Sequence, residues 1–356
     1  MGVFDLSGLT MNPQEVDEVS KAIFELVIEE GDLAEYHEIE TGITMKTQIA
    51  FVGNLGLLGY KQTDCARTED GSSIPLTEKY WDPVLIGDRL KHCATDINPL
   101  LKLFKKASRI NPDFYDRIGS EELGLVIAKI EQALKQMANR YVWFGDTAAA
   151  NISGGGVIKN GIDVKYFNAF DGLFKQIYAE VPTTATNYVE ISENAGANYA
   201  AQSLATDKAL TVFRNMFNAT DARFFQALEG GATPEMFVTR ELLQNYWDTL
   251  EAKSLNFSLA ETTDGTTKMS YRGIPLKVRY DWDNNIKSYQ DNGTKLNLPH
   301  RAILTVKENI PVATLSQEDL NTVTSFYVQK DKANYMDFDL NMDAKHLLDY
   351  MTVAAY

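Results

Sequence analysis

The sequence predicts an α+β fold, built as two packed subdomains with largely antiparallel sheet. Three observations predict it. Helical and extended patterns are interspersed without the regular strand–helix–strand rhythm of a parallel sheet. From Tyr271 onward short extended runs dominate, at Gly273–Tyr280, Ala302–Lys307, Ser325–Gln329 and Asn334–Asn341, an order that suits antiparallel pairing. A chain of 356 residues also exceeds the roughly 250–300 residues at which a single core stops growing. Its 44% apolar and 11% aromatic content is ordinary globular chemistry and excludes disorder, a collagen-like fibre or a coiled-coil rod.

Asn12-Pro13-Gln14-Glu15 starts the first predicted helix. Asn caps it, Pro fits the first helical position, and Glu15 reaches back to the cap amide. Val16, Val19, Ile23, Leu26 and Val27 then form one stripe opposite acidic residues until Gly31, so the apolar side needs a partner. Residues 1–40 carry eleven acids against one base, −10 of the formal −15. That is either a solvated helix face or an acidic arm lying along a neighbouring surface.

Residues 46–84 differ in character. Phe51 to Gly59 is an apolar run broken by Gly53, Gly56 and Gly59, a bendable extended segment. Asp70-Gly71 is a hairpin turn signal between Thr63–Thr68 and Ser72–Leu76. A lone hairpin cannot bury a core, so it must lean on something else. Tyr80-Trp81-Asp82-Pro83 closes the segment.

Asn111-Pro112 begins a short helix, and Ser120 caps the longest, from about Glu121 to Val142. Leu123, Ile127, Ile130, Leu134, Met137 and Tyr141 recur there at spacings of three and four, giving a rod of roughly 33 Å. Gly154-Gly155-Gly156 is the best internal boundary. Beyond it, Ile162, Val164 and Tyr166 alternate as a strand, and Asp171 caps a helix carrying Leu173, Phe174, Ile177 and Tyr178. Tyr188–Ile191 reads as extended. Thr206 or Asp207 caps a helix with Leu210, Phe213 and Phe217. Glu235–Thr239 reads as a strand, followed by a helix with Leu242, Leu243, Tyr246, Trp247 and Leu250.

Little in the sequence specifies a reaction. His37, His92, His300 and His346 occur in no HExxH or paired-ligand spacing and read as surface or packing residues. No phosphate loop and no nucleophile elbow is present. Asp281-Trp282-Asp283-Asn284-Asn285 matches the first, third and fifth positions of a calcium loop. Ile286 and Asn292 then stand where Gly and a bidentate Glu belong, so a polar turn is the simpler reading. Carboxylates suited to glycoside hydrolysis are abundant but form no motif. Trp81, Trp143, Trp247 and Trp282 are dispersed and mostly read as core. Cys65 and Cys93 read as unbridged thiols. No catalytic residue, cofactor or metal is therefore expected. The first residues carry no secretory signal, no run approaches a membrane span, and the acidic balance argues against gripping DNA or anionic lipid through a broad basic face.

Four stretches together resemble one family. They are the glycine-broken run through Gly59 with Cys65, Tyr80-Trp81-Asp82-Pro83 and Cys93; the long helix ending in Trp143-Phe144-Gly145-Asp146-Thr147; Phe170-Asp171-Gly172-Leu173-Phe174-Lys175-Gln176-Ile177; and Gly273-Ile274-Pro275-Leu276 with Ala302–Val306 and Glu308-Asn309-Ile310. The chain resembles a tailed-bacteriophage major capsid protein of the Hong Kong 97 type, in the style seen in prophages of gut bacteria. The resemblance implies an N-terminal arm (1–45), an extended hairpin loop (46–84), a peripheral domain with a long spine helix (85–159 and 310–356) and an axial domain (160–309). It implies a structural protein whose partner is itself, in hexamers and pentamers of an icosahedral shell. That shell would enclose double-stranded DNA without sequence-specific binding or a membrane, with scaffold, portal and decoration proteins as further partners. The expected place is the virion, after synthesis in the host cytoplasm. The expected assembly contacts are Val19 and Ile23 in the arm, and Leu57, Tyr60, Arg67, Glu69, Asp70, Lys79 and Trp81 in the loop. No scaffolding domain of about a hundred residues precedes the arm, which implies a separate scaffold or a processed chain. The alternatives are an encapsulin-like compartment shell, a tail-tube or adaptor protein and, in a different class, an acidic carbohydrate-active enzyme.

Overall fold

A computed structural model describes residues 33–52, 74, 76–93, 121–253, 262–263, 266–267, 269–315, 324–328 and 333–356. The chain enters through a single turn, α1 (Leu33–Tyr36), and a short strand β1 (Ile39–Glu40). Strands β2 (Thr47–Val52) and β3 (Leu76–Trp81) follow, then the long β4 (Val84–Cys93). The longest helix, α2 (Glu121–Phe144), leads to α3 (Leu173–Glu180) and β5 (Tyr188–Val189). Next come α4 (Lys208–Ala219), α5 (Ala222–Glu229), β6 (Pro234–Val238) and α6 (Arg240–Ala252). A small hairpin, β7 (Thr262–Thr263) with β8 (Thr266–Thr267), precedes β9 (Met269–Tyr271), β10 (Ile274–Val278) and α7 (Tyr280–Tyr289). Strands β11 (Ala302–Val306), β12 (Val312–Thr314), β13 (Thr324–Val328), β14 (Ala333–Ala344) and β15 (Val353–Ala355) complete the chain.

Two sheets organise these elements. In the first, β14 carries β4 along one edge, in register from Val84 opposite Met342 to Cys93 opposite Ala333. The other edge carries β13 and β12, and β1 joins β12 in parallel. The second sheet has the order β5-β15-β11-β6-β10-β9, with β5/β15 and β6/β10 parallel and the other pairs antiparallel. Its central strands are buried on both faces, so they read as mainly apolar runs such as Ala302–Val306, in which Thr305 is the one polar residue. The two-residue period then sorts alternate side chains into two cores. Phe237, Ile303 and Ala354 face one; Met236, Val238, Leu304, Val353 and Ala355 face the other.

The first core joins both sheets to α2, α3 and α7. Trp143 lies at its centre, with ring centroids 4.6 Å from Trp282, 5.2 Å from Phe174 and 5.6 Å from Phe237. The second packs α4 and α6, through Val212, Phe213, Met216, Leu242 and Tyr246, on the opposite sheet face. The buried residues thus form two cores, separated by the six-stranded sheet.

Several local expectations are corrected. Ile162, Val164 and Tyr166 are not a strand: Val164–Tyr166 is a 3₁₀ turn begun by Asp163, whose carboxylate accepts the Lys165 amide at 3.0 Å. Asp171 does not cap α3, because Gly172 holds that position. Its carboxylate instead accepts the Thr147 amide at 2.8 Å and the Lys175 ammonium at 2.9 Å, tying the end of α2 to α3. Asp207 holds the N-cap position of α4 as expected, but in a left-handed conformation (φ 61) in which its side chain makes no cap hydrogen bond and pairs with Lys253 at 2.7 Å instead. Asp281–Asn285 is not a polar turn but the start of α7. There Trp282 and Ile286, four apart on one face, bury into the first core, and Asp281 binds the buried Arg279 through Nε at 2.7 Å and Nη2 at 2.6 Å. Gly154–Gly156 forms a tight loop folded against Ala150. At the other end, β15 lies in the six-stranded sheet, away from the β12–β14 strands that precede it in the chain.

Candidate assembly surface

Among the described strands, β2 and β3 pair only with each other. Their register runs from Thr47 opposite Trp81 to Val52 opposite Leu76. Two strands of six residues have no core of their own, and the burial pattern shows which end is supported. Trp81, at the root, is 2% exposed, whereas Val52 and Leu76, paired at the far end, are 69% and 72% exposed. Met45, Ile74 and Tyr80 are exposed as well. Apolar side chains therefore concentrate on a ribbon that the described body does not cover. Lys46 lies 5.0 Å from the Tyr80 ring, and Gln48 donates to Glu78. These two contacts link the strands to each other, not to the body.

The root is held differently. Period-two alternation puts Lys79 on the same face as Trp81. The Lys79 ammonium pairs with Glu180 at the end of α3 and donates to the His346 carbonyl at 2.6 Å. The Asp82 amide donates to Asp343 Oδ2 at 2.8 Å. Glu180 in turn accepts from His346 Nδ1, and His346 Nε2 meets Thr352 Oγ1 at 2.8 Å. Gln176 closes the cluster, donating to the Ala344 carbonyl at 2.7 Å and accepting the His346 amide at 3.0 Å. Burial opposes the charge on Glu180, but the hydrogen bonds from His346 and Lys79 outweigh it and hold its carboxyl below the usual range.

Of the expected contact residues, Lys79 and Trp81 thus face their own chain at the attachment of the ribbon. Leu57, Tyr60, Arg67, Glu69 and Asp70, the Asp70-Gly71 turn, Val19 and Ile23 with the 12–31 helix, Cys65, and the helix starts at Asn111 and Ser120 lie outside the described residues. Sequence reading missed Val52, Leu76, Glu180 and His346. Apolar residues next to a glycine-rich segment were the available signal for the first two. Glu180 and His346 reach Lys79 only through the tertiary fold.

Two concave regions bear on the enzyme alternative. A groove of about 600 Å³ between β4 and α2 is lined largely by apolar residues, among them Leu85, Leu134 and Met137, and contains one carboxylate, Asp88. A second, of about 630 Å³, likewise holds one carboxylate, Asp146, and is bordered by Arg301. The Arg301 guanidinium lies 4.4 Å from the Phe174 ring and donates to the Leu298 and Asn297 carbonyls and to Gln290, stapling that loop. Neither region pairs two carboxylates as glycoside hydrolysis requires. Among the described residues, no group of three or more His, Cys, Asp or Glu is placed to hold a metal ion, and no helix is long and apolar enough to cross a membrane.

No family model and no curated protein matches the sequence. Solved structures do match the fold. A chain from Gordonia phage Cozz aligns with a TM-score of 0.54 and 12% identity, over 95% of this chain and 91% of that one. A chain from Microbacterium phage Oxtober96 gives 0.52 and 12%, over 97% and 95%. A chain of the satellite phage P4 procapsid, solved with its size determination protein, gives 0.51 and 11%, over 91% and 86%. The fold, mixed helix and sheet, is the Hong Kong 97-type capsid fold.

Proposed function

We propose that this chain is the major capsid protein of a tailed phage or prophage, copies of which close into an icosahedral shell around double-stranded DNA. One observation carries the reading: a two-stranded ribbon, anchored at one end and apolar at the other, leaves the body of a chain that has the capsid fold over nearly its whole length. A closed shell asks each copy to repeat the same contacts at slightly different curvature. Rigid two-core bodies joined by bendable projections meet that demand. Individually weak contacts, several per copy, add up to a stable shell. In this reading residues 1–45 form an arm, 46–84 the loop laid on a neighbour, 85–159 with the strands of 310–344 the peripheral domain, and 160–309, joined by β15 in the six-stranded sheet, the axial domain. Scaffold, portal and decoration proteins are the natural further partners. The formal charge of −15 suits a container that confines DNA without gripping it.

Electron microscopy of the purified chain, alone and co-expressed with its genomic neighbours, tests the reading. Closed particles of uniform size are expected from the full chain, and folded, non-assembling monomers from a variant lacking residues 46–84. A full chain that stays monomeric under both conditions would overturn the proposal.

A further inference from the structure

Two sets of contacts hold the ribbon's root among the described residues: the Gly42 and Ile43 amides, ahead of β2, donate to the Leu315 and Thr314 carbonyls, and β3 meets one polar cluster. Beyond its root, β2 and β3 meet no other described strand, and their outer residues are exposed. Among the described residues, β3 connects to the body through the buried Trp81, the Asp82 amide on Asp343, and Lys79 on Glu180 and the His346 carbonyl. Trp81 and Asp82 lie at the pivot itself. Lys79 lies two residues out along the ribbon, on its body-facing side, so it alone of the three resists tilting.

The groups that receive Lys79 are themselves immobilised. Glu180 is held by His346, which is fully buried. His346 rests on Thr352, which also accepts from Asn309 Nδ2 at 3.0 Å and lies 3.1 Å from the Thr305 hydroxyl of β11. Gln176 fixes the His346 amide from α3. A continuous set of hydrogen bonds therefore runs from the ribbon through α3 and the 343–352 segment to the central strand of the six-stranded sheet. The Lys79–Glu180 pair is about one-third exposed on each side. Water can replace Lys79 at its acceptors, so its loss costs the body little.

We propose that Lys79, seated on Glu180 and His346, is a positioning residue that sets the angle at which the ribbon is presented to a neighbouring copy. The inference rests on the capsid reading above and adds to it a specific control of shell geometry. Six residues span roughly 20 Å, so even a tilt of about 10° carries the exposed Val52–Leu76 end roughly 3 Å from its place. That is enough to unseat side chains that must interdigitate with a partner.

The test uses the full chain with Lys79→Ala, Lys79→Arg and Glu180→Gln. In dilute, unassembled protein, spin labels replacing Val52 on the ribbon and the exposed Tyr280 on the body, with Cys65 and Cys93 changed to Ser, report the ribbon angle as a distance. The expected result is a distance distribution broadened by several ångström in Lys79→Ala and Glu180→Gln. Lys79→Arg should restore the narrow one, and thermal unfolding should be nearly unchanged in both Lys79 variants. In assembly, Lys79→Ala should lose particle uniformity and Lys79→Arg regain it. Unchanged distances in Lys79→Ala, or shells as uniform as those of the parent, would overturn the inference. A parent chain that never assembles would instead overturn the capsid reading, while the distance measurement would still decide whether Lys79 sets the ribbon.

Discussion

His37 shows how far a residue's neighbours can move its chemistry. Its ring is buried 5.5 Å from Trp143 and bonds the Ile310 carbonyl at 2.9 Å through Nδ1. Burial first, then the Arg279 charge, lowers its pKa to about 3. Asp283 goes the other way: burial pushes its carboxyl up to about 6, although the Arg240 amide, donating at 2.9 Å, favours the charged form. A histidine held below its free value binds its proton less tightly when folded, so its contribution to stability is lost as pH falls below about 6.5, by up to about 1.4 kcal/mol per unit. A raised carboxyl contributes fully below about pH 4, and that contribution is lost as pH rises through about 6. Between about pH 4 and 6 the two oppose each other. Asp283→Asn should therefore stabilise the chain by about 1–3 kcal/mol at neutral pH and by almost nothing at pH 4, steepening the loss on acidification. Melting curves across that range check this, and a gain independent of pH would contradict it. The sequence marked His37 as a surface or packing residue and read Asp283 into a turn. Both environments come from segments far away along the chain.

At the scale of elements, α2 and α3 meet at a close joint. A Cβ on Gly145 would lie 2.5 Å from the Phe170 carbonyl oxygen and 2.6 Å from that of Tyr141, both backbone atoms that cannot swing away. Gly145→Ala should destabilise by about 1–3 kcal/mol. Gly154→Ala is the control: its Cβ would meet nothing nearer than 3.9 Å, so it should be neutral or slightly stabilising through the unfolded chain. Equal melting temperatures for the two variants would contradict the assignment. Much of this level was legible beforehand. The three-and-four spacing of Leu134, Met137 and Tyr141 gave α2, and the apolar runs gave β6 and β11 close to their observed bounds. What failed were short patterns with two readings. Ile162, Val164 and Tyr166 alternate like a strand but lie in a turn, and among the described residues no strand pairs with them. The acid-rich 281–285 segment looks like a loop, yet its carboxylates sit comfortably in the first turn of a helix.

For the whole molecule, charge sets the conditions of association. Copies carrying −15 each repel one another until salt shortens the range of that repulsion, from about 10 Å at 0.1 M to about 3 Å at 1 M. Raising ionic strength should therefore lower the concentration at which particles form, as light scattering over a salt series would show. A shell that dissociates in salt would mean that ion pairs between copies, and not apolar contacts such as those offered by Val52 and Leu76, hold it together.

By itself the sequence determined the α+β class, the long helix and the apolar strands. Each of these follows from periodicity or composition within a few residues. Only the tertiary structure decided that β15 returns to the six-stranded sheet, that Trp81 is spent inside its own chain, and that Lys79, Glu180 and His346 meet at the ribbon's root. Lys79 and His346 are 267 residues apart, and no local pattern encodes a hydrogen bond over that separation. It exists because two sheets and α3 fold around one core and leave those polar groups facing each other at its edge.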